Sequence, residues 1–597
     1  MTTNDVAAPE MSAELEANLQ KIETLTQRLM SALSHKKQIN PSLHGPDTML
    51  YGKAMQAYWQ EWVHNPAKIL EHQLEFWGKS VTHYVEAQQA LAKGKLQPPA
   101  DPGPKDRRFK NPLWDEHPYF NFIKQQYLIN AEAIRTAVED VAELDETEKK
   151  RLRYFAQQIV DMFAPTNFFA TNPDALQKAL ETEGASLVQG LENLVSDLEA
   201  NNGELVVRLA DEGAFEIGTN IATAEGEVVY RNHMMEVIQY TPTTEEVRET
   251  PIILFPPWIN KFYILDLKPE NSFIRWVVDQ GYTLFVVSWI NPDESYKDVG
   301  LDTYIEDGYL RAIEEVKSIC NVEKVNAIGY CIAGTTLSLT LSLLKKRGDK
   351  SIKSATFLTT LTDFSDQGEF TPFLQNDFID GIEAEIGDTG ILKSFIMART
   401  FSFLRSNDLV YGPAIKSYMM GETPPAFDLL YWNGDGANLP GRMAMQYLRG
   451  LCQSNKFAEG DFELMGETLS LRDVDVPLCS IACETDHIAA WKDCYRGVQT
   501  MGSKSKQFIL SESGHIAGIV NPPTKKKYGH YTNEDLSLSS EDWKSSADYT
   551  EGSWWPVWEK WLAKRSGKWV KARELGDKSH PPLAPAPGTY VRIKARA

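Results

Sequence analysis

Gly329-Tyr330-Cys331-Ile332-Ala333-Gly334-Thr335 follows a short apolar, β-branched run, Val322–Ile328. It precedes Thr336–Lys346, where Leu337, Leu341 and Leu344 recur at helical spacing with Leu343 beside them. The order strand, tight turn, helix, with a thiol at the apex between small residues, is that of a nucleophile elbow. Such a turn strains the apical backbone and needs little side chain two places either side. Gly329 meets that need before the thiol; after it stand Ala333 and then Gly334, so the pattern is met loosely. The competing reading is a cysteine packed inside an α/β crossover, since cysteine is among the most buried residue types.

The downstream sequence favours the elbow. A thiol nucleophile needs a base to take its proton and an acid to hold that base in the right tautomer. The run Pro477–Cys483 reads as a strand and leads into Glu484-Thr485-Asp486-His487. The run Lys506–Leu510 reads as another and leads into Ser511-Glu512-Ser513-Gly514-His515. Nucleophile, acid, histidine is the α/β-hydrolase chain order. Asp486 is the candidate acid with Glu484 as its rival, and His515 the candidate base with His487 as its rival. The oxyanion hole is expected from the N–H of Ile332 and one from the loop Pro256-Pro257-Trp258-Ile259-Asn260. The prolines lack an N–H, leaving Trp258 or Ile259.

Composition narrows the function classes. With 597 residues the chain is too long for one ordinary domain. A net charge of -21 argues against nucleic acid as a general partner. The stretch MTTNDVAAPEMSAELEANLQ lacks the regions of a signal peptide, and no run of about 20 apolar residues suggests a membrane span. Six cysteines without an export signal suggest free thiols in a reducing cytoplasm. The eleven histidines show no HExxH or Cys/His spacing, so neither metal nor cofactor is expected. Gly434-Asp435-Gly436 opens like a dinucleotide fingerprint, but Leu439 replaces its third glycine and Pro440 obstructs the following helix.

Residues 1–205 read as a helical N-terminal domain, with helical spacing over Met11–Leu33, Ala57–Leu91 (carrying Trp59, Trp62 and Trp77), Tyr119–Phe163 and Pro173–Leu198. Lys93–Arg108 reads as a linker. Residues 206–597 read as the catalytic domain. Its β-rich runs fall in Glu216–Gln239, Pro251–Phe255, Thr283–Trp289, Lys324–Ile328 and Ser354–Leu361, then the two named above, and predict a largely parallel sheet. An aromatic insertion, about 362–470, is placed to be a cap.

Several segments carry a resemblance: Gly218–Ala222, Phe255–Leu267 (FPPWINKFYILDL), Val287–Asp293 (VSWINPD), Gly329–Thr335 (GYCIAGT), Tyr431–Gly441 (YWNGDGANLPG), Asp486-His487, Ser513–Pro523 (SGHIAGIVNPP) and Gly552–Trp555 (GSWW). Together they resemble the polyhydroxyalkanoate synthases, in particular the long single-subunit type, class I. Ala333 departs from the glycine usual in that family's box. The resemblance implies an α/β-hydrolase fold that polymerises (R)-3-hydroxyacyl-CoA, of short chain such as 3-hydroxybutyryl-CoA, into storage polyester. CoA is the leaving group and no cofactor is needed. Cys331 would carry the acyl group, with His515 as base and Asp486 as its partner. Asp266, His487 and Arg449 would be substrate-binding candidates, against a helix-start acid for Asp266 and a surface cation for Arg449. The resemblance further implies a homodimer, cytoplasmic and attached to polyester granules. The rival readings are a cysteine-dependent acyl-CoA thioesterase or acyltransferase, and a non-catalytic granule-coat protein.

Overall fold

The computed structural model describes residues 13–35, 43, 52–53, 56, 66–93, 106–141 and 144–595. Trp59 and Trp62 lie outside the described residues, as does most of the expected linker 93–108. The chain divides into two compact units: Met1–Asp211 with Arg399–Pro425, and Glu212–Ala398 with Ala426–Ala597.

The first unit is helical. Its described helices include Ala13–Ser34, Pro66–Lys93, Pro118–Glu139, Glu146–Met162, Pro173–Glu181 and Ala185–Ala200. The expected run from Tyr119 to Phe163 is two helices, because Asp145 caps the second by accepting from the Glu148 N–H. Asn172 caps Pro173–Glu181 in the same way through the Ala175 N–H, with proline at the first helical position. Phe109, Trp114, Phe120, Tyr127, Ala131, Val160 and Ala164 form a buried core. The segment 399–425, which falls inside the insertion, belongs to this unit through polar ties. The buried Asp197 carboxylate accepts the Tyr418 hydroxyl at 2.7 Å, and Asn193 donates to the Ser417 carbonyl at 3.1 Å. A buried carboxylate demands such donors.

The second unit is built on one eleven-stranded sheet. Its strands are β1 (Gly226–Arg231), β2 (Met235–Tyr240), β3 (Ile252–Phe255), β4 (Leu284–Trp289), β5 (Val325–Tyr330), β6 (Ile352–Leu358), β7 (Leu478–Cys483), β8 (Lys506–Ser511), β9 (His530–Thr532), β10 (Asp548–Thr550) and β11 (Ala584–Pro585). They lie in the order β10-β9-β8-β7-β6-β5-β3-β4-β2-β1-β11. From β8 to β4 the pairings are parallel; those of β1, β2, β9, β10 and β11 are antiparallel. The parallel centre matches the sequence expectation. The flanks differ from it because the short link between β1 and β2 can make only a hairpin, not a crossover.

Burial explains why the central strands lack alternation: every residue of β3, β4, β5 and β7 is buried. The expected helix Asn271–Gln280 is Phe273–Asp279, capped by the Ser272 hydroxyl. Thr303–Cys320 contains a wide π-type turn, Tyr304–Leu310, before the regular helix Arg311–Cys320. Trp554, Trp555, Trp558 and Trp561 are buried.

Candidate active site

The site is assembled at the C-terminal ends of β5, β7 and β8. Cys331 follows β5 directly and caps the helix Ile332–Lys346 with φ 53° and ψ -126°. That left-handed backbone is costly for a residue bearing a Cβ and is held from both sides. The Cys331 N–H donates to the Leu358 carbonyl of β6 at 2.8 Å, and its own carbonyl accepts from the Gly334 N–H at 2.8 Å.

The structure also shows which small residues the turn needs. A methyl group on Gly329 would stand 2.5 Å from the Gly334 Cα, so strand and helix touch through this glycine pair. A methyl on Gly334 would strike the Thr360 side chain. Ala333 is fully buried, and its carbonyl accepts the Tyr309 hydroxyl at 2.8 Å. The close approach therefore falls one residue after the position the motif suggested, and an alanine methyl is accommodated at 333.

Asp486 and His515 meet in the loops after β7 and β8. His515 Nδ1 lies 2.6 Å from Asp486 Oδ2, and both residues are buried. The other carboxylate oxygen, Oδ1, accepts the Ile488 and Ala489 N–H groups at 2.8 and 2.9 Å, which fixes its orientation. Burial by itself would disfavour a charged imidazole, but the charges and hydrogen bonds of Asp486 and Cys331 outweigh it and push the His515 pKa well above its ordinary value. The Cys331 thiol is among the groups acting on the imidazole, which puts it beside His515. Sequence-distant Cys331, Asp486 and His515 thus form one connected set.

Residues given no site role in the sequence reading hold this set in place. The Tyr330 hydroxyl donates to the His515 carbonyl at 3.3 Å, and the two rings stack with centroids 5.9 Å apart. The indole N–H groups of Trp554 and Trp555 donate to the Gly518 and Ile519 carbonyls at 2.8 and 2.9 Å, gripping the loop just past His515. Tyr447, from the insertion, packs edge-on against Trp258 with centroids 5.7 Å apart, and its burial pushes its pKa well above the ordinary value. Its only sequence signal was an aromatic residue in a helical stretch, which is too common to single it out.

The oxyanion candidates share the helix start. Trp258 is buried and its indole donates to the Thr336 hydroxyl at 3.3 Å, tying its loop to the first turn of Ile332–Lys346. Among the described residues, the main-chain N–H groups of Ile332, Trp258 and Ile259 have no main-chain acceptor.

The substrate-binding candidates lie differently. Asp266 is buried; its carboxylate accepts the Ala224 N–H at 2.8 Å and its main-chain oxygen the Ala222 N–H at 2.9 Å. Burial raises its pKa to about 6, opposed by Ser272, Ala224 and Arg275. Its partners thus belong to Ile221–Arg275 and not to the set around Cys331. His487 is half-buried beside Asp486. Arg449 forks between Asp380 and Glu383 at 2.7 and 2.6 Å, within the insertion. Among the described residues no group of three or more His, Cys, Asp or Glu could hold a metal ion, and no helix is long and apolar enough to cross a membrane.

Residues 105–277 match the family described as Poly-beta-hydroxybutyrate polymerase (PhaC) N-terminus, and residues 251–522 match the alpha/beta hydrolase fold. The chain is 40% identical over 537 residues to a poly(3-hydroxyalkanoate) polymerase of Methylorubrum extorquens, covering 90% of this chain and 89% of that one. It is 40% identical over 515 residues to the poly(3-hydroxyalkanoate) polymerase subunit PhaC of Cupriavidus necator, covering 85% and 86%. Against the corresponding subunit of Rhizobium meliloti it is 38% identical over 543 residues, covering 91% and 88%. An elbow thiol beside an acid-backed histidine on this sheet, and relatedness along nearly the whole length, lead to one conclusion: the chain belongs to the poly(3-hydroxyalkanoate) polymerase family.

Proposed function

We propose that this protein polymerises (R)-3-hydroxyacyl-CoA into polyester through an acyl-thioester on Cys331. The observation that supports it most directly is the buried His515–Asp486 pair, 2.6 Å apart, beside the Cys331 thiol at the elbow. In the first step His515 holds the thiol proton while sulfur attacks the substrate carbonyl. The carbon–sulfur bond to CoA breaks, and the proton leaves with CoA as its thiol. One thioester replaces another, so the exchange has little free-energy change. In the second step the hydroxyl of another hydroxyacyl unit attacks the Cys331 thioester and His515 takes its proton; an ester bond forms, the carbon–sulfur bond to Cys331 breaks, and His515 returns the proton to the freed sulfur. Asp486 stabilises the imidazolium in both steps. In this reading the N–H groups of Ile332 and Trp258 receive the carbonyl oxygen as it becomes negative.

The reading extends to a class I enzyme acting on short-chain monomers such as 3-hydroxybutyryl-CoA, working as a cytoplasmic homodimer at polyester granules. Water must be kept from the thioester, which gives the aromatic insertion the role of a cover. The test is purified protein with 3-hydroxybutyryl-CoA, following free thiol and turbidity together. Thiol release with rising turbidity supports polymerisation. Thiol release from a solution that stays clear would identify a thioesterase instead, and no thiol release would remove the enzymatic reading.

A further inference from the structure

Tyr309 is fully buried, and its hydroxyl donates to the Ala333 carbonyl, in the first turn of the elbow helix, at 2.8 Å. Its ring lies nearly parallel to that of Phe255, with centroids 4.1 Å apart and planes at 18°. Phe255 ends β3 and is followed at once by the loop 256–260. One side chain therefore touches both halves of the candidate oxyanion hole. Complete burial pushes the Tyr309 pKa well above its ordinary value, so the hydroxyl keeps its proton and remains a donor.

The local backbone explains how Tyr309 comes to lie there. It belongs to the π-type turn Tyr304–Leu310. In an α-helix two residues five apart stand about 140° apart around the axis. Closure from i to i+5 widens the turn and brings such a pair toward one face. Tyr304 and Tyr309 are spaced in this way, and both meet the same indole: their ring centroids lie 5.4 and 5.7 Å from that of Trp289. Tyr304 also packs on Trp258, with centroids 5.7 Å apart. The Trp289 indole donates to the Pro256 carbonyl at 2.9 Å, which fixes the start of the loop carrying Trp258.

We infer that Tyr309 is a positioning residue for the oxyanion hole, setting the Ile332 N–H against the N–H of Trp258. This rests on the polymerase reading above. The donors of such a hole must stand about 2.7–3.1 Å from the place the oxygen takes in the transition state, not from its place in the substrate. The sheet alone does not set that spacing: the ladder between β3 and β5 ends with the pair Phe255 and Gly329, before either donor is reached. Tyr309 spans the gap beyond it, anchored by its ring on one side and by its hydroxyl on the other. Ala333 follows Ile332 directly, so holding its carbonyl fixes the rotation of the first helical turn and the direction of the Ile332 N–H.

The test uses the full chain, wild type beside Tyr309→Phe and Tyr309→Leu, and compares two reactions of the Cys331 thiol. Acylation by 3-hydroxybutyryl-CoA passes through an oxyanion. Alkylation by iodoacetamide displaces iodide from a saturated carbon and develops none. Tyr309→Phe keeps the ring and loses only the hydroxyl. Its single-turnover acylation rate at saturating substrate is expected to fall about tenfold, with the half-saturating concentration unchanged. Its alkylation rate stays within about twofold of wild type, because that reaction does not use the hole. Tyr309→Leu also loses the stack on Phe255 and is acylated more slowly still. Unchanged acylation in Tyr309→Phe overturns the inference. So does an equal fall in acylation and alkylation, which would mean a displaced thiol or base. Turbidity separates this inference from the polymerase reading. CoA release into a solution that stays clear, still slowed selectively by Tyr309→Phe, would remove the polymerase and leave Tyr309 its role. Polymer growth with equal acylation rates in wild type and Tyr309→Phe would do the reverse. An acyl group recovered on a residue other than Cys331 would remove both.

Discussion

His515 Nδ1 stands 2.6 Å from Asp486 Oδ2 although 29 residues separate them, and both are buried beside Cys331. The pairing makes a charged imidazole affordable in a place that would otherwise exclude it. Replacing Asp486 with Asn keeps the shape and the acceptor for Ile488 and Ala489, but turns an N–H toward Nδ1. We expect kcat to fall by about 10³–10⁴-fold. The His515 pKa should drop back toward 6.5, which histidine NMR on isotopically labelled protein would read.

The Cys331 backbone predicts a conflict between function and stability. At φ 53° a Cβ is strained, whereas glycine is not. Cys331→Gly should therefore be inactive yet more stable than Cys331→Ala by about 1 kcal/mol, after allowing for the greater chain entropy of glycine. A higher apparent melting temperature for the glycine variant checks it; equal temperatures would show that the turn stores no strain.

Gly329→Ala should damage the elbow because its methyl would meet the Gly334 Cα at 2.5 Å, backbone against backbone. Such overpacking costs about 1–3 kcal/mol and shifts the thiol relative to His515. Lower thermal stability together with slower alkylation of Cys331 is the expected pair of results.

Near the C-terminus, Glu236 of β2 is fully buried and accepts from the Thr589 and Tyr590 N–H groups, each at 2.9 Å, and from Arg231. Ending the chain after Pro587 would strip those N–H donors from a buried carboxylate. The expected loss is about 3–5 kcal/mol. Adding Glu236→Ala to the truncation should recover part of it, since no buried charge then remains to be satisfied.

His580 offers a pH test. Burial opposes its charge, but Asp577 at 2.8 Å and Glu315 at 2.7 Å raise its pKa above the ordinary 6.5. A raised histidine pKa contributes stability that is complete below 6.5 and is lost as pH rises through the folded-state value. The gap in melting temperature between wild type and His580→Gln should thus be widest near pH 6 and close on the alkaline side. A gap that widened with pH would contradict the ion-pair account.

The sequence alone determined the order of chemistry along the chain. Apolar, β-rich runs ended at Ile328, Cys483 and Leu510, and after them came the nucleophile, acid and base candidates in order, with Glu484 and His487 as rivals. Parallel strands buried on both faces leave that local signature because they need apolar residues at every position. The sequence could not choose the small residue opposite Gly329, because the gap depends on how the helix lies across β5 and β6. It could not show Tyr330 clasping the His515 loop, nor the indoles of Trp554 and Trp555 holding it, since those bonds span 185 and 36 residues. Asp266 and Arg449 illustrate the same limit: whether a carboxylate or a guanidinium is open to a ligand depends on which partners reach it, here Ala224 for one and Asp380 with Glu383 for the other. Local pattern fixes what a segment can become; only packing across the whole chain decides which groups meet.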